Sequence, residues 1–88
     1  MSDTYKALAD PTRRRIVELL KQKDMTVSEI AAHFNISQPS ISQHLSILKN
    51  SQLIESYKEG KYVIYSLNLT VLQDVLGWFL TLLNKQGE

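Results

Sequence analysis

Apolar residues recur along this chain first at helical spacing, then at every second position, then at helical spacing again, and this order of periods predicts the fold. Residues 3–9 read as a short helix with Tyr5 and Leu8 as its apolar contribution, ended by Asp10-Pro11. Asp10 caps the next helix and Pro11 occupies its first turn. Ile16, Leu19 and Leu20, with Val17 alongside, then form an apolar face that runs to about Gln22. After the connector Lys23-Asp24-Met25, Thr26 and Glu29 stand at capping-box spacing, and a third helix turns Val27, Ile30, Ala31 and Phe34 inward. Asn35 suits a left-handed turn, and Ser37 caps a fourth helix over about residues 38–50, with Pro39 just inside it.

The fourth helix has two unlike faces. Ile41, Leu45 and Leu48 form an apolar stripe, while Gln38, Ser42, Gln43 and Ser46 point away from it. Glutamine amides offer a donor and an acceptor side by side, as adenine does, and serine donates to several acceptors, so the polar face suits base edges in a DNA groove. Taken alone, it suits a solvated helix equally well. Its neighbours decide: two short helices joined by a tight turn, the second with an outward polar face, form a helix-turn-helix.

From Leu53 the period becomes two. Residues 54–58, a turn at Glu59-Gly60 and residues 61–67 predict a hairpin, with Val63, Tyr65 and Leu67 on one side and Lys58 and Lys61 at its tip. A helix-turn-helix followed at once by a basic-tipped hairpin is the winged form of the motif. The last helix, over residues 69–84 with Asn68 as its cap, carries apolar residues over roughly 200° of its circumference, against the stripe of about 100° that docking on one core requires. The expected fold is therefore mainly α with a small β-hairpin: about five helices and a two-stranded wing in a single domain, residues 1–88, that is dimeric. Segments 1–9 and 69–84 are the expected dimerisation helices. Tyr5, Leu8, Val71, Leu72, Val75, Leu76, Phe79, Leu82 and Leu83 are the expected interface. Trp78 reads as core or interface.

Composition narrows the function. At 88 residues the core is small, and with no cysteine neither a disulfide nor a thiolate metal site can brace it, which favours oligomerisation. No apolar run reaches the length of a membrane span and the polar N-terminus lacks a secretory signal's apolar stretch, so a cytoplasmic protein without membrane insertion is expected. The net charge of +1 is uninformative, but its distribution is not: no Asp or Glu occurs between Glu29 and Glu55, the interval that holds the whole fourth helix. Ser37, Gln38, Ser40, Ser42, Gln43, His44, Lys49, Lys58 and Lys61 are the candidate DNA-binding residues. Ser40 lies nearer the phosphate edge, and His44, beside the apolar stripe, reads more readily as a hydrogen-bonded structural residue. Arg13, Arg14 and Arg15 sit unfavourably near a helix N-terminus and so require a partner, either phosphate or Asp3, Asp10 or Glu18; Arg14 and Glu18, four apart, are the expected ion pair. Neither histidine has a nucleophile or carboxylate partner at a motif spacing, so no enzyme site and no cofactor are expected.

With these pieces placed, the chain resembles the ArsR/SmtB family of bacterial winged-helix repressors. Ala7-Leu8-Ala9-Asp10-Pro11-Thr12-Arg13-Arg14-Arg15-Ile16 resembles the family's N-terminal signature. The stretch from Ile36 to Leu45, with Leu48-Lys49, resembles its recognition helix, and Lys58-Glu59-Gly60-Lys61 with Tyr65-Ser66-Leu67 its wing. The wording is especially similar to the family's autorepressors. The resemblance implies a homodimer that represses transcription at an operator in double-stranded DNA, an imperfect inverted repeat, with the first and last helices making the dimer. Metal-sensing members carry cysteines before the recognition helix or paired His and acidic ligands on the last helix. Here the first region reads Met25-Thr26-Val27-Ser28-Glu29, and the last helix has no histidine and only Asp74 as an acid, so no metal site is expected. By analogy with the autorepressors, release from DNA falls to a membrane-associated antirepressor protein, although no residue identifies it. The alternatives are a winged-helix protein-interaction module and a small-ligand-responsive regulator.

Overall fold

The computed structural model describes residues 2–84. Its elements are α1 (Ser2–Leu8), α2 (Pro11–Gln22), α3 (Val27–Ala31), α4 (Gln38–Asn50), β1 (Ile54–Glu59), β2 (Tyr62–Leu67) and α5 (Leu69–Leu83). Residue 1 of the expected dimerisation segment, and residues 85–88 of the domain, lie outside the described residues.

Local chemistry sets most boundaries. Asp10 is driven into extended backbone by the proline that follows it, and its carboxylate accepts from the N–H groups of Thr12 (2.7 Å) and Arg13 (3.3 Å). The capping box is complete: Thr26 Oγ1 accepts from Glu29 N at 3.1 Å, and Glu29 Oε1 accepts from Thr26 N at 2.8 Å. That backbone bond holds the Glu29 carboxyl below the usual carboxylate range. Ser37 caps α4 by accepting from Ser40 N at 3.2 Å.

The core gathers Ile16, Val17, Leu19 and Leu20 of α2, Ile30 of α3, and Ile41, Leu45 and Leu48 of α4 with Leu53 and Ile54. The contribution of α1 differs from expectation. Its fully buried apolar residue is Ala7, with Thr4 also buried, while Tyr5 and Leu8 are half-buried. The alanine brings the α1 backbone close enough to α2 and α4 that the larger side chains are left at the edge.

Two turns also differ. Asn35 is not left-handed; α3 runs out through short-range bonds from His33 N to Ile30 O and Phe34 N to Ala31 O, which need no positive φ. The left-handed residue is Gln52, at φ 68°, beyond the end of α4. There Leu53 N donates to Leu48 O (3.1 Å) and Gln52 N to Lys49 O (3.0 Å), a Schellman closure sealed by the buried Leu48 and Leu53 side chains. In the hairpin Glu59 pairs with Tyr62, so the loop is Gly60-Lys61, one residue later than expected. Gly60, at φ 63°, takes the first loop position, which in a two-residue hairpin favours a left-handed glycine.

The wing is fastened to the body by a contact no local pattern announces. Met25 N donates to Tyr65 O at 3.0 Å and Tyr65 N to Met25 O at 2.7 Å, making the connector before α3 a one-residue third strand.

On α5, only Val75 is fully buried, with Val71 and Leu72 half-buried against the core. These three, expected at the interface, are what seats α5 on its own domain, and Leu8 packs there too. Beyond them α5 overshoots the core. Phe79 and Leu82 lie on the same side as Val75 yet are exposed, as are Leu76, Leu80 and Leu83. The roughly 200° apolar arc thus has two origins: one flank too wide for the core, and one end too long for it.

Candidate nucleic-acid interface

The exposed side of α4 is polar, and the tip of the wing is basic. Gln38, Ser42, Gln43, Ser46 and Lys49 are exposed on α4, and Lys58 and Lys61 are exposed on the wing. Ile41, Leu45 and Leu48 are 0–1% exposed, so the burial of one face fixes which way the other points. The amides of the first turn of α4 have only the Ser37 cap as side-chain partner, and the end of a helix that presents free N–H groups favours a phosphate. Ser37 Oγ accepts from Ser40 N and donates to Ser40 Oγ at 3.0 Å, which leaves the hydroxyl proton of Ser40 free to donate outward. Lys61 Nζ sits 5.6 Å from the centre of the Tyr62 ring, a cation–π contact that holds the ammonium at the tip.

The arginines behave otherwise than expected. Arg14 does not pair with Glu18; its guanidinium donates to Leu8 O at 2.8 Å, and Arg15 makes the ion pair with Glu18 instead, at 3.2 Å. The compensation for the other two cations at the start of α2 is the end of α1, whose last carbonyls carry its negative dipole. Arg13 joins in this with Nε to Ala7 O (2.7 Å) and one terminal nitrogen to Lys6 O (3.2 Å), and its other terminal nitrogen reaches His44 Nδ1 at 3.3 Å. His44 is therefore half-buried and hydrogen-bonded, as the sequence favoured.

Two exposed side chains escaped the sequence reading. Ile36, 43% exposed in the turn leading to α4, stands beside Ser37 and Gln38. Tyr62, 56% exposed, lies on the wing face opposite Lys58. The strand register gives the signal for Tyr62, since the residue after a two-residue loop lies at the tip.

The second surface is apolar. Tyr5, Trp78 and Phe79 form an aromatic cluster between α1 and α5, with ring centres 5.2–5.6 Å apart. Around it Leu76, Leu80, Leu82 and Leu83 are each at least 55% exposed. Such a contiguous apolar patch marks an association surface. Among the described residues no three His, Cys, Asp or Glu side chains come together as a metal-ligand group, and no helix is long and apolar enough to cross a membrane.

A capped recognition helix, a basic-tipped wing and a separate apolar helix face define a winged helix-turn-helix protein of the DNA-binding class. Comparison with known proteins agrees: the family of bacterial regulatory proteins named for arsR matches residues 10–56, and the chain belongs to that family. It is 54% identical to the transcriptional repressor SdpR of Bacillus subtilis over 97% of this chain and 94% of that protein. Among solved structures, an ArsR family transcriptional regulator superposes with a TM-score of 0.88 at 29% identity, covering 99% of this chain and 96% of the other. A homodimeric winged helix-turn-helix DNA-binding domain from Mycobacterium bovis gives 0.73 at 28% identity, covering 91% and 81%.

Proposed function

We propose that the chain is a homodimeric transcriptional repressor that inserts α4 of each protomer into the major groove of an inverted-repeat operator, and that it is not an enzyme. The observation that carries this is the exposed, acid-free face of α4, together with the exposed lysines at the tip of the wing. Gln38, Ser42 and Gln43 read bases, Ser37 and Ser40 hold phosphate at the helix start, and Lys49, Lys58 and Lys61 meet the backbone. Tyr5, Leu76, Phe79, Leu82 and Leu83, joined by Trp78 and Leu80, make the dimer, with Leu8, Val71, Leu72 and Val75 supporting them from below. Two-fold symmetry places the recognition helices about 34 Å apart, one turn of DNA.

The likeness to the transcriptional repressor SdpR supports repression as the activity; the sequence resemblance to the family's autorepressors extends this reading to control of the repressor's own promoter, a cytoplasmic location, and release by a membrane-associated antirepressor protein rather than by a metal. Selection of bound fragments from the host genome identifies the operator and shows whether it lies at the repressor's own gene. Three lysines per protomer, six per dimer, imply that log affinity falls with log salt at a slope of about −5. No binding to any duplex at low salt overturns the proposal.

A further inference from the structure

We infer that Arg13 is a positioning residue for DNA binding: it fixes the tautomer of His44 so that the ring presents an Nε2–H donor beside the Ser40 hydroxyl, forming a two-donor clasp for one backbone phosphate. The inference rests on the DNA-binding reading above and adds to it a role for a side chain that does not itself touch DNA.

The tautomer follows from the donor's chemistry. A guanidinium has only donors, so a ring nitrogen that meets Arg13 at 3.3 Å is an acceptor, and the proton of the neutral ring lies on the other nitrogen. No described residue accepts from Nε2, and no buried side-chain nitrogen or oxygen goes unpartnered, so this N–H faces solvent. Ser40 is four residues before His44 on the same helix, hence its neighbour on the same flank. Its hydroxyl oxygen already accepts from Ser37 Oγ, so its proton is also directed away from the helix cap. Two outward donors one turn apart, close to the free amides that begin α4, match the acceptor oxygens of a phosphodiester.

Arg13 cannot follow the ring freely. Its remaining nitrogens are held by Ala7 O at 2.7 Å and Lys6 O at 3.2 Å, so the guanidinium is an extension of the end of α1. The His44 donor is thereby placed relative to α1, the helix that carries Tyr5 into the aromatic cluster on α5. Lysine keeps the charge but cannot make three divergent bonds from one planar group.

The test uses the intact protein, a duplex recovered by genomic selection and a random duplex of equal length. Arg13→Lys and His44→Ala are each expected to weaken binding to both duplexes about tenfold, since a phosphate contact is blind to sequence. The double variant is expected to lose no more than either alone. His44→Gln, whose amide can donate near the place of Nε2–H, restores affinity and makes Arg13→Lys silent. In the free protein, imidazole ¹⁵N shifts are expected to show the proton of His44 on Nε2, and a tautomer mixture in folded Arg13→Lys, with a His33→Gln background isolating the signal. Additive losses, an Nδ1-protonated ring in the wild type, or variants that bind as well as the wild type overturn the role of Arg13. A wild type that binds neither duplex instead overturns the DNA-binding reading, while the ¹⁵N measurement still decides the tautomer.

Discussion

The phenol of Tyr57, on β1, donates to Asp24 Oδ2 at 2.8 Å and so ties the wing to the connector before α3, beside the Met25–Tyr65 bridge. The hydrogen bond to Asp24 raises the Tyr57 pKa above its ordinary 10.0, with desolvation and the charges of Asp24 and Glu59 acting the same way. A phenol whose folded pKa is raised contributes stability that is fully present below pH 10 and is lost as pH climbs through the folded value. Tyrosinate absorbance is therefore expected to show a late-titrating component, and Asp24→Ala to move it down toward the ordinary range. A wild type whose tyrosinate titration is unchanged by Asp24→Ala would show that the contact does not hold in solution.

Gln52→Gly is expected to stabilise the fold by about 0.5–1 kcal/mol. A residue with a side chain at φ 68° bears a steric cost that glycine avoids, and the gain exceeds the extra freedom glycine has when unfolded. Thermal melting checks the stability. Binding to the selected duplex is expected to stay unchanged, because glycine keeps both backbone bonds of the Schellman closure and so leaves Lys49 in place.

Those two positions mark what the sequence could and could not reveal. Caps were legible because they are local: Asp10, Thr26 with Glu29, Ser37 and Asn68 each close a helix within three residues, and all four make the expected backbone bond. The polar face of α4 was legible because one helical period sets both faces. Gln52 was hidden because glutamine has no special preference for positive φ, and the burial of Leu48 and Leu53 imposed it. Arg13 was hidden for a different reason: its partners, Lys6, Ala7 and His44, lie six to 31 residues away, and only the packing of α1 against α2 and α4 brings them together.

Acid is expected to loosen the start of α2. Desolvation raises the Asp10 carboxyl, but the bonds from Arg13 N and Thr12 N, with the charges of Arg13 and His44, outweigh it and leave the pKa below the ordinary 3.8. A depressed carboxylate contributes stability that is present above pH 3.8 and lost as pH falls through the lower, folded value. Asp10→Ala is expected to cost about 1 kcal/mol at pH 7, the usual loss for a helix cap. Urea melts of both proteins should converge as pH falls progressively below 3.8; a gap that does not narrow with acid would assign the loss to something other than the carboxylate.

Three consecutive positions on α5 separate the two origins of its apolar arc. Val75 is 4% exposed and seats the helix on its own core, so Val75→Ala is expected to lower stability by about 2 kcal/mol through lost burial and the void left behind. Leu76 is 55% exposed, so Leu76→Asp is expected to leave the single domain intact. In the dimer it places a carboxylate in an apolar interface, and monomers with weakened operator binding are expected by light scattering. Phe79→Asp is expected to give monomers as well but is a less clean test, because its ring also stacks edge-on against Tyr5. Gly77 faces away from both, with nothing within 4 Å of where a side-chain carbon would stand. Gly77→Ala is therefore expected to stabilise the helix by about 1 kcal/mol and leave the dimer unchanged. A Leu76→Asp protein that stays dimeric would move the interface off this flank and onto the overshooting end of α5, where Leu82→Asp is the variant that should then give monomers.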